Sequence, residues 1–123
     1  MTKKFRLAGN NQQLDAAINA LQDAKAENIT IIYGGEDSPV ADWIIVCEGN
    51  SFVHVRAIAD QLRDFFKHEL NELPFHEEGQ QHNRWILLDY TDIVLNIMLP
   101  ELRMHYQLED LWKECDQEKI PTL

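Results

Sequence analysis

The sequence predicts an α/β fold of the α+β type, a mixed sheet of about five strands with helices packed on it. Three observations predict it. Residues 12–25 and the stretch from Phe52 to about residue 71 carry apolar side chains at helical spacing. Short continuous runs rich in Ile and Val lie between and after them, as strands buried on both faces do. Two such runs, Arg84-Trp85-Ile86-Leu87-Leu88-Asp89 and Ile93-Val94-Leu95-Asn96-Ile97-Met98-Leu99, are separated only by Tyr90-Thr91-Asp92. That pair reads as a β-hairpin, which makes part of the sheet antiparallel. The expected order is α-β-β-α-β-β-β-α.

The first helix follows from Leu14, Ala17, Ile18, Leu21 and Ala24, which share one stripe. Residues 29–33 form a short strand closed by Gly34-Gly35, and residues 42–47 form a second, whose composition suits burial on both faces. Gly49-Asn50-Ser51 is a turn in which Asn50 or Ser51 caps the next helix, because each offers a side-chain oxygen to a free amide. That helix buries Val55, Ile58, Ala59, Leu62, Phe65 and Phe66. Residues 73–77 suit a short edge strand, and residues 78–83 a polar loop containing Gly79. The hairpin follows. Pro100 stops its second strand, since proline has no amide to give to a ladder. The C-terminus is read as helical, with Leu108, Leu111 and Trp112 docked on the sheet or presented to another chain. Residues 1–123 are read as one domain, flexible over about 1–10 and 114–123.

Composition limits the function classes. A chain of 123 residues with 45% hydrophobic and 26% charged residues can bury its own core. Its formal net charge of -10 repels bare nucleic acid, whose binding to proteins rests on Lys and Arg at phosphates, and favours a basic partner. Lys3, Lys4 and Arg6 have no apolar stretch behind them, so no signal peptide is read there, and no run is long enough to span a membrane. Two cysteines, Cys47 and Cys115, suit a reducing cytoplasm.

Four constellations invite chemistry. Asp89 and Asp92 have the character of a metal-binding or acid/base pair. Asp at a strand end more often accepts from nearby amides, and that reading is preferred. His76, Glu77, Glu78 and His82 crowd one loop without tight ligand spacing, which suits a solvated loop better than a metal site. Cys47 with His54 has the composition of a nucleophile and base, but Cys47 lies mid-strand, where cysteine behaves as a small hydrophobe. Gly34-Gly35 lacks the spacing of a dinucleotide or phosphate loop. Trp43, Trp85 and Trp112 remain as core or as interface anchors, and Trp85 starts its strand after a polar loop, at a rim.

Five blocks, in order, carry a resemblance. They are Lys25-Ala26-Glu27-Asn28-Ile29; Ala41-Asp42-Trp43-Ile44-Ile45-Val46; Gly49-Asn50-Ser51 with His54-Val55-Arg56-Ala57-Ile58-Ala59-Asp60; Trp85 through Val94; and Leu99-Pro100-Glu101-Leu102-Arg103 with Tyr106, Leu108, Glu109, Leu111 and Trp112. Together they resemble the ribosomal silencing factors, the Iojap-like family, from about Leu14 to Trp112. Three places depart from that pattern, among them Gly34-Gly35-Glu36-Asp37, where a more apolar strand end is expected. Thr91 stands where the family usually has glycine, implying a turn that tolerates a side chain, and Asn96 stands where it usually has histidine.

The resemblance implies a nucleotidyltransferase-like fold without the transferase Asp-x-Asp pair. It implies a cytoplasmic, ribosome-associated repressor of translation under nutrient limitation. Such a protein binds the large ribosomal subunit through its basic protein fourteen and obstructs the small subunit. No catalytic residue, metal or cofactor is assigned, and a homodimer is left open. The expected partner-binding residues are Trp85, Leu87, Asp89, Asp92 and Asn96, bordered by Met98 and Glu101. The competing reading is a small nucleotide- or metal-dependent enzyme using Asp89 and Asp92.

Overall fold

Asn11 opens the first helix by accepting the Leu14 amide on Oδ1 at 2.9 Å, and Ser51 opens the second by accepting the His54 amide on Oγ at 3.1 Å. The caps satisfy amides that a helix start leaves unpaired. The computed structural model describes residues 11–34 and 41–121. Its elements are α1 (Gln12–Asp23), β1 (Glu27–Tyr33), β2 (Trp43–Glu48), α2 (Phe52–Leu70), β3 (His76–Glu78), β4 (Trp85–Asp89), β5 (Ile93–Met98), α3 (Pro100–Tyr106), α4 (Leu108–Leu111) and β6 (Asp116–Ile120). The turn expected at Gly34-Gly35 runs into residues 35–40, outside the described residues.

Among the described residues the strands form one mixed sheet in the order β3-β4-β5-β2-β1-β6. β2 and β5 pair in parallel, with Trp43 opposite Ile93 and Glu48 opposite Met98. The other pairs are antiparallel, including the predicted hairpin, in which Trp85 faces Met98 and Asp89 faces Val94. β3 is the expected edge strand, displaced to His76–Glu78 because Leu73 and Phe75 stay outside, 73% and 81% exposed.

Alternate residues of the strands serve opposite faces. On one face α1 and α2 cover Ile29, Ile31, Ile45, Cys47, Ile86, Leu88, Leu95 and Ile97, all fully buried. On the other, Ile32, Ile44, Val46 and Met98 form a second core under Leu102 of α3, Leu108 of α4, and Trp112. Trp112 therefore docks back on the sheet, while Leu111 beside it is 72% exposed.

The C-terminal tail corrects one expectation. Residues beyond 114 were read as flexible, yet β6 pairs with β1, Ile120 opposite Ile29 and Asp116 opposite Tyr33. Gln22 Nε2 fastens its end by donating to the Pro121 carbonyl at 3.0 Å. The segment Asp116-Gln117-Glu118-Lys119-Ile120 is polar because it borders the sheet, where charge discourages pairing with other chains. It brings the sheet to six strands rather than about five. Residues 1–10, also expected to be flexible, lie outside the described residues, as do 122–123.

Candidate interaction face

The hairpin sets the geometry of the candidate face. Trp85, Leu87 and Asp89 alternate to the same side as Asn96 and Met98, since Leu87 pairs with Asn96 and Trp85 with Met98. All three β4 residues are half-buried. Gly79 makes room for this row. It sits at φ 93°, and a Cβ there would stand 1.9 Å from the Trp85 carbonyl oxygen, so only glycine lets the β3–β4 loop lie against the strand.

Trp85 is fixed from two sides. Its indole Nε1–H donates to Asn96 Oδ1 at 2.9 Å, and Asn96 is 5% exposed. Its ring meets Tyr106, at the end of α3, with centroids 5.0 Å apart. Tyr106 is 53% exposed and continues the aromatic surface outward. Two shallow clefts flank the indole, one lined by Glu78, Gly79 and Leu87, the other by Gly79, His82 and Arg84.

The remaining expected residues do not all join this row. Met98 is fully buried, with Trp85 packed against its cluster; β5 is covered on both sides, so its periodicity gave no sign of which residues emerge. Asp92 and Glu101 are exposed but flank opposite ends of β5, whose six residues at ~3.3 Å each keep them roughly 20 Å apart. Sequence reading gave Tyr106 and Arg103 no role in the face, although both stood in the C-terminal block of the family resemblance.

Arg103 holds α3 in place. It is 8% exposed, and its guanidinium donates to the Asn28 carbonyl, to Glu48 Oε2 at 3.2 Å, to Thr30 Oγ1 at 3.0 Å and, through Nε and Nη2, to Glu109 Oε2. These contacts engage all five N–H donors of an arginine. A cleft of about 420 Å³ beside it, lined by Asn28, Thr30, Glu48, Glu109 and Lys119, therefore adjoins a saturated guanidinium. Burial on its own would raise the Glu109 carboxyl, but its hydrogen bond to Arg103 and the Arg103 charge carry it below the ordinary value.

The candidate chemical groups have other partners. Asp89 Oδ1 accepts the Thr91 amide at 2.8 Å, the turn-forming role preferred for it, whereas Asp92 is exposed and enters the sheet through its backbone carbonyl, which accepts the Trp43 amide at 3.0 Å. Glu77 turns toward Arg63 of α2 at 3.2 Å, while His76 pairs with Glu78 at 3.1 Å. His54 Nδ1 accepts the Asn50 amide at 2.9 Å, which leaves Nε2 to donate to the Ala24 carbonyl at 3.1 Å. Both ring nitrogens are thus engaged, Nδ1 within the turn that opens α2 and Nε2 across to the end of α1. Burial pushes the Cys47 thiol up to about 12, far from the thiolate a nucleophile needs. Burial, reinforced by Glu77, also raises the Tyr90 hydroxyl, whose ring stacks on Phe66 at 4.1 Å. No helix among the described residues is long and apolar enough to cross a membrane.

A mixed sheet with helices on both faces and a half-open aromatic row defines a small α/β protein of one structural class. Within that class the chain belongs to the family described as ribosomal silencing factor during starvation, which it matches over residues 8–123. It is 35% identical over 106 residues to ribosomal silencing factor RsfS of Halalkalibacterium halodurans, covering 86% of this chain and 90% of that one. A mouse protein named mitochondrial assembly of ribosomal large subunit protein 1 is 29% identical over 101 residues, which span 80% of this chain and 44% of the mouse protein. A crystal structure of a Chromobacterium violaceum protein superposes with a TM-score of 0.76 at 31% identity, over 81% of this chain and 82% of that one.

Proposed function

We propose that this protein binds the large ribosomal subunit through its protein fourteen and blocks joining of the small subunit, repressing translation when nutrients are short. The carrying observation is the row of Trp85 and Leu87, half-buried and continued by the exposed ring of Tyr106 on a sheet face that α3 covers only in part. Aromatic side chains on a rigid frame are the groups that most often anchor protein interfaces. Asp89 borders the row, with Asp92 and Glu101 farther out.

Family membership supports the reading, and the mouse relative's name points to the large subunit. Charge supports it as well. A chain of net charge -10 is drawn to a basic ribosomal protein, which speeds encounter more than it tightens the complex. In this reading the protein acts by occupancy, in the cytoplasm, without turnover.

Cosedimentation with purified large subunits tests the reading. Trp85→Ala should weaken binding by roughly 2–4 kcal/mol if Trp85 is an anchor. Circular dichroism and the unfolding midpoint establish that the variant is folded. Unchanged cosedimentation of folded Trp85→Ala would remove this residue from the interface.

A further inference from the structure

We infer that Asn96 and Tyr106 are positioning residues that turn Trp85 into a purely apolar anchor, so that the partner surface receiving it is an apolar socket with no acceptor for the indole. The inference rests on the proposed docking role of Trp85 and specifies its chemistry. An indole has a single polar donor, Nε1–H. Here that donor is spent internally on Asn96 Oδ1 at 2.9 Å, and Asn96 is almost entirely buried. What Trp85 offers outward is carbon. A second contact limits ring rotation, because Tyr106 lies against the indole at 5.0 Å between centroids. Tyr106 is itself set by α3, which Arg103 fastens to the Asn28 carbonyl, Thr30 and Glu48 of β1 and β2.

The arrangement matters because an anchor held in its bound rotamer loses less entropy on docking. It also separates Trp85 from the usual interface tryptophan, whose N–H finds an acceptor on the partner. Leu87, which pairs with Asn96 across the hairpin, continues the apolar surface, and Gly79 lets the β3–β4 loop lie close against the Trp85 backbone beside it.

The test uses the full chain labelled with 5-fluorotryptophan and with ¹⁵N in the indole rings. Trp85→Phe identifies the Trp85 signals, and Trp43 and Trp112 report on the fold within each spectrum. In the unaltered protein the Trp85 indole N–H should exchange slowly with water, and its fluorine signal should be single and sharp. Fast exchange there would overturn the inference without any variant. In folded Asn96→Leu, exchange should accelerate and the fluorine signal should broaden or split. Affinity for purified large subunits should fall on the order of tenfold, as expected when a donor is carried unpaired into an interface. Asn96→His, whose ring nitrogen can accept, should restore both. Trp85→Phe should bind large subunits much better than Trp85→Ala, since no partner acceptor is lost.

An unshifted, sharp Trp85 signal in folded Asn96→Leu would overturn the positioning role. Equal losses in Trp85→Phe and Trp85→Ala would overturn the apolar socket. If Asn96→Leu frees the indole while neither it nor Trp85→Ala changes large-subunit binding, positioning stands and the docking role fails.

Discussion

Arg103 and Glu109 clamp the two short C-terminal helices together, with Arg103 Nε donating to Glu109 Oε2 at 3.1 Å across Gln107, whose φ of 49° turns the chain from α3 to α4. Arg103 lies one turn before Tyr106 in the same helix, and Tyr106 meets the Trp85 ring at 5.0 Å between centroids.

Removing the guanidinium should therefore be expensive. Arg103→Met would leave Glu48 and Glu109, 14% and 31% exposed, without their cation. Breaking a buried pair from one side costs about 3–5 kcal/mol, and the lower end applies because Glu109 keeps some contact with water. The thermal midpoint should drop by roughly 10 °C. Urea unfolding measures the free-energy loss, and a change below ~1 kcal/mol would show that the network is dispensable.

The same pair gives a pH dependence with a definite sign. Glu109 titrates lower in the folded protein than its ordinary 4.5, so the unfolded chain binds the proton first as pH falls. The stability Glu109 contributes is fully present above about 4.5 and disappears as the pH drops through its folded value. Glu109→Gln should flatten that part of the acid limb and leave the rest. Urea midpoints of the two proteins from pH 7 down to pH 3 provide the comparison; parallel curves would contradict the assignment.

Thr91 carries a third prediction about stability. Its family position usually holds glycine, and the substitution suggested a turn that tolerates a side chain. The turn has not relaxed, because Thr91 sits at φ 76°, where a β-branched residue is strained. Thr91→Gly should stabilise the hairpin by roughly 1 kcal/mol, the scale of such strain, partly offset by the greater freedom of glycine when unfolded. Loss of stability in Thr91→Gly would show that the threonine side chain makes a compensating contact.

Much of this was legible in the sequence, for identifiable reasons. The α2 stripe of Val55, Ile58, Ala59, Leu62 and Phe66 is fully or almost fully buried, because 3.6-residue spacing is imposed by the helix itself. The hairpin was legible because two apolar runs with three residues between them have little choice but to pair. β6 was not, since four of its five residues are polar and its pairing is with β1, over 80 residues earlier, which local patterns do not report. Arg103 was equally silent as a buried group. Arginine is usually exposed, and its burial depends on acceptors from β1, β2 and α4 that converge only in the fold. Of the candidate face, the side-chain alternation of Trp85, Leu87 and Asp89 could be read, but the burial of Met98 depends on the helices packed over that face.

The last prediction separates occupancy from chemistry at Asp89 and Asp92. Asp89→Asn keeps an Oδ1 that can accept the Thr91 amide, so the turn should survive, and Asp92 is exposed, so Asp92→Asn disturbs no core. A double variant is therefore expected to fold. If the protein acts by covering a surface, inhibition of a purified translation system should follow the fraction of large subunits occupied, and the double variant should inhibit as well as the unaltered protein at equal occupancy. An excess of small subunits, or ribosomes already joined, should relieve inhibition, because both compete for one face. A catalytic pair behaves differently, losing turnover while binding stays intact. Inhibition that was substoichiometric, grew with time and vanished in a folded double variant that still sedimented with large subunits would replace the blocker with an enzyme.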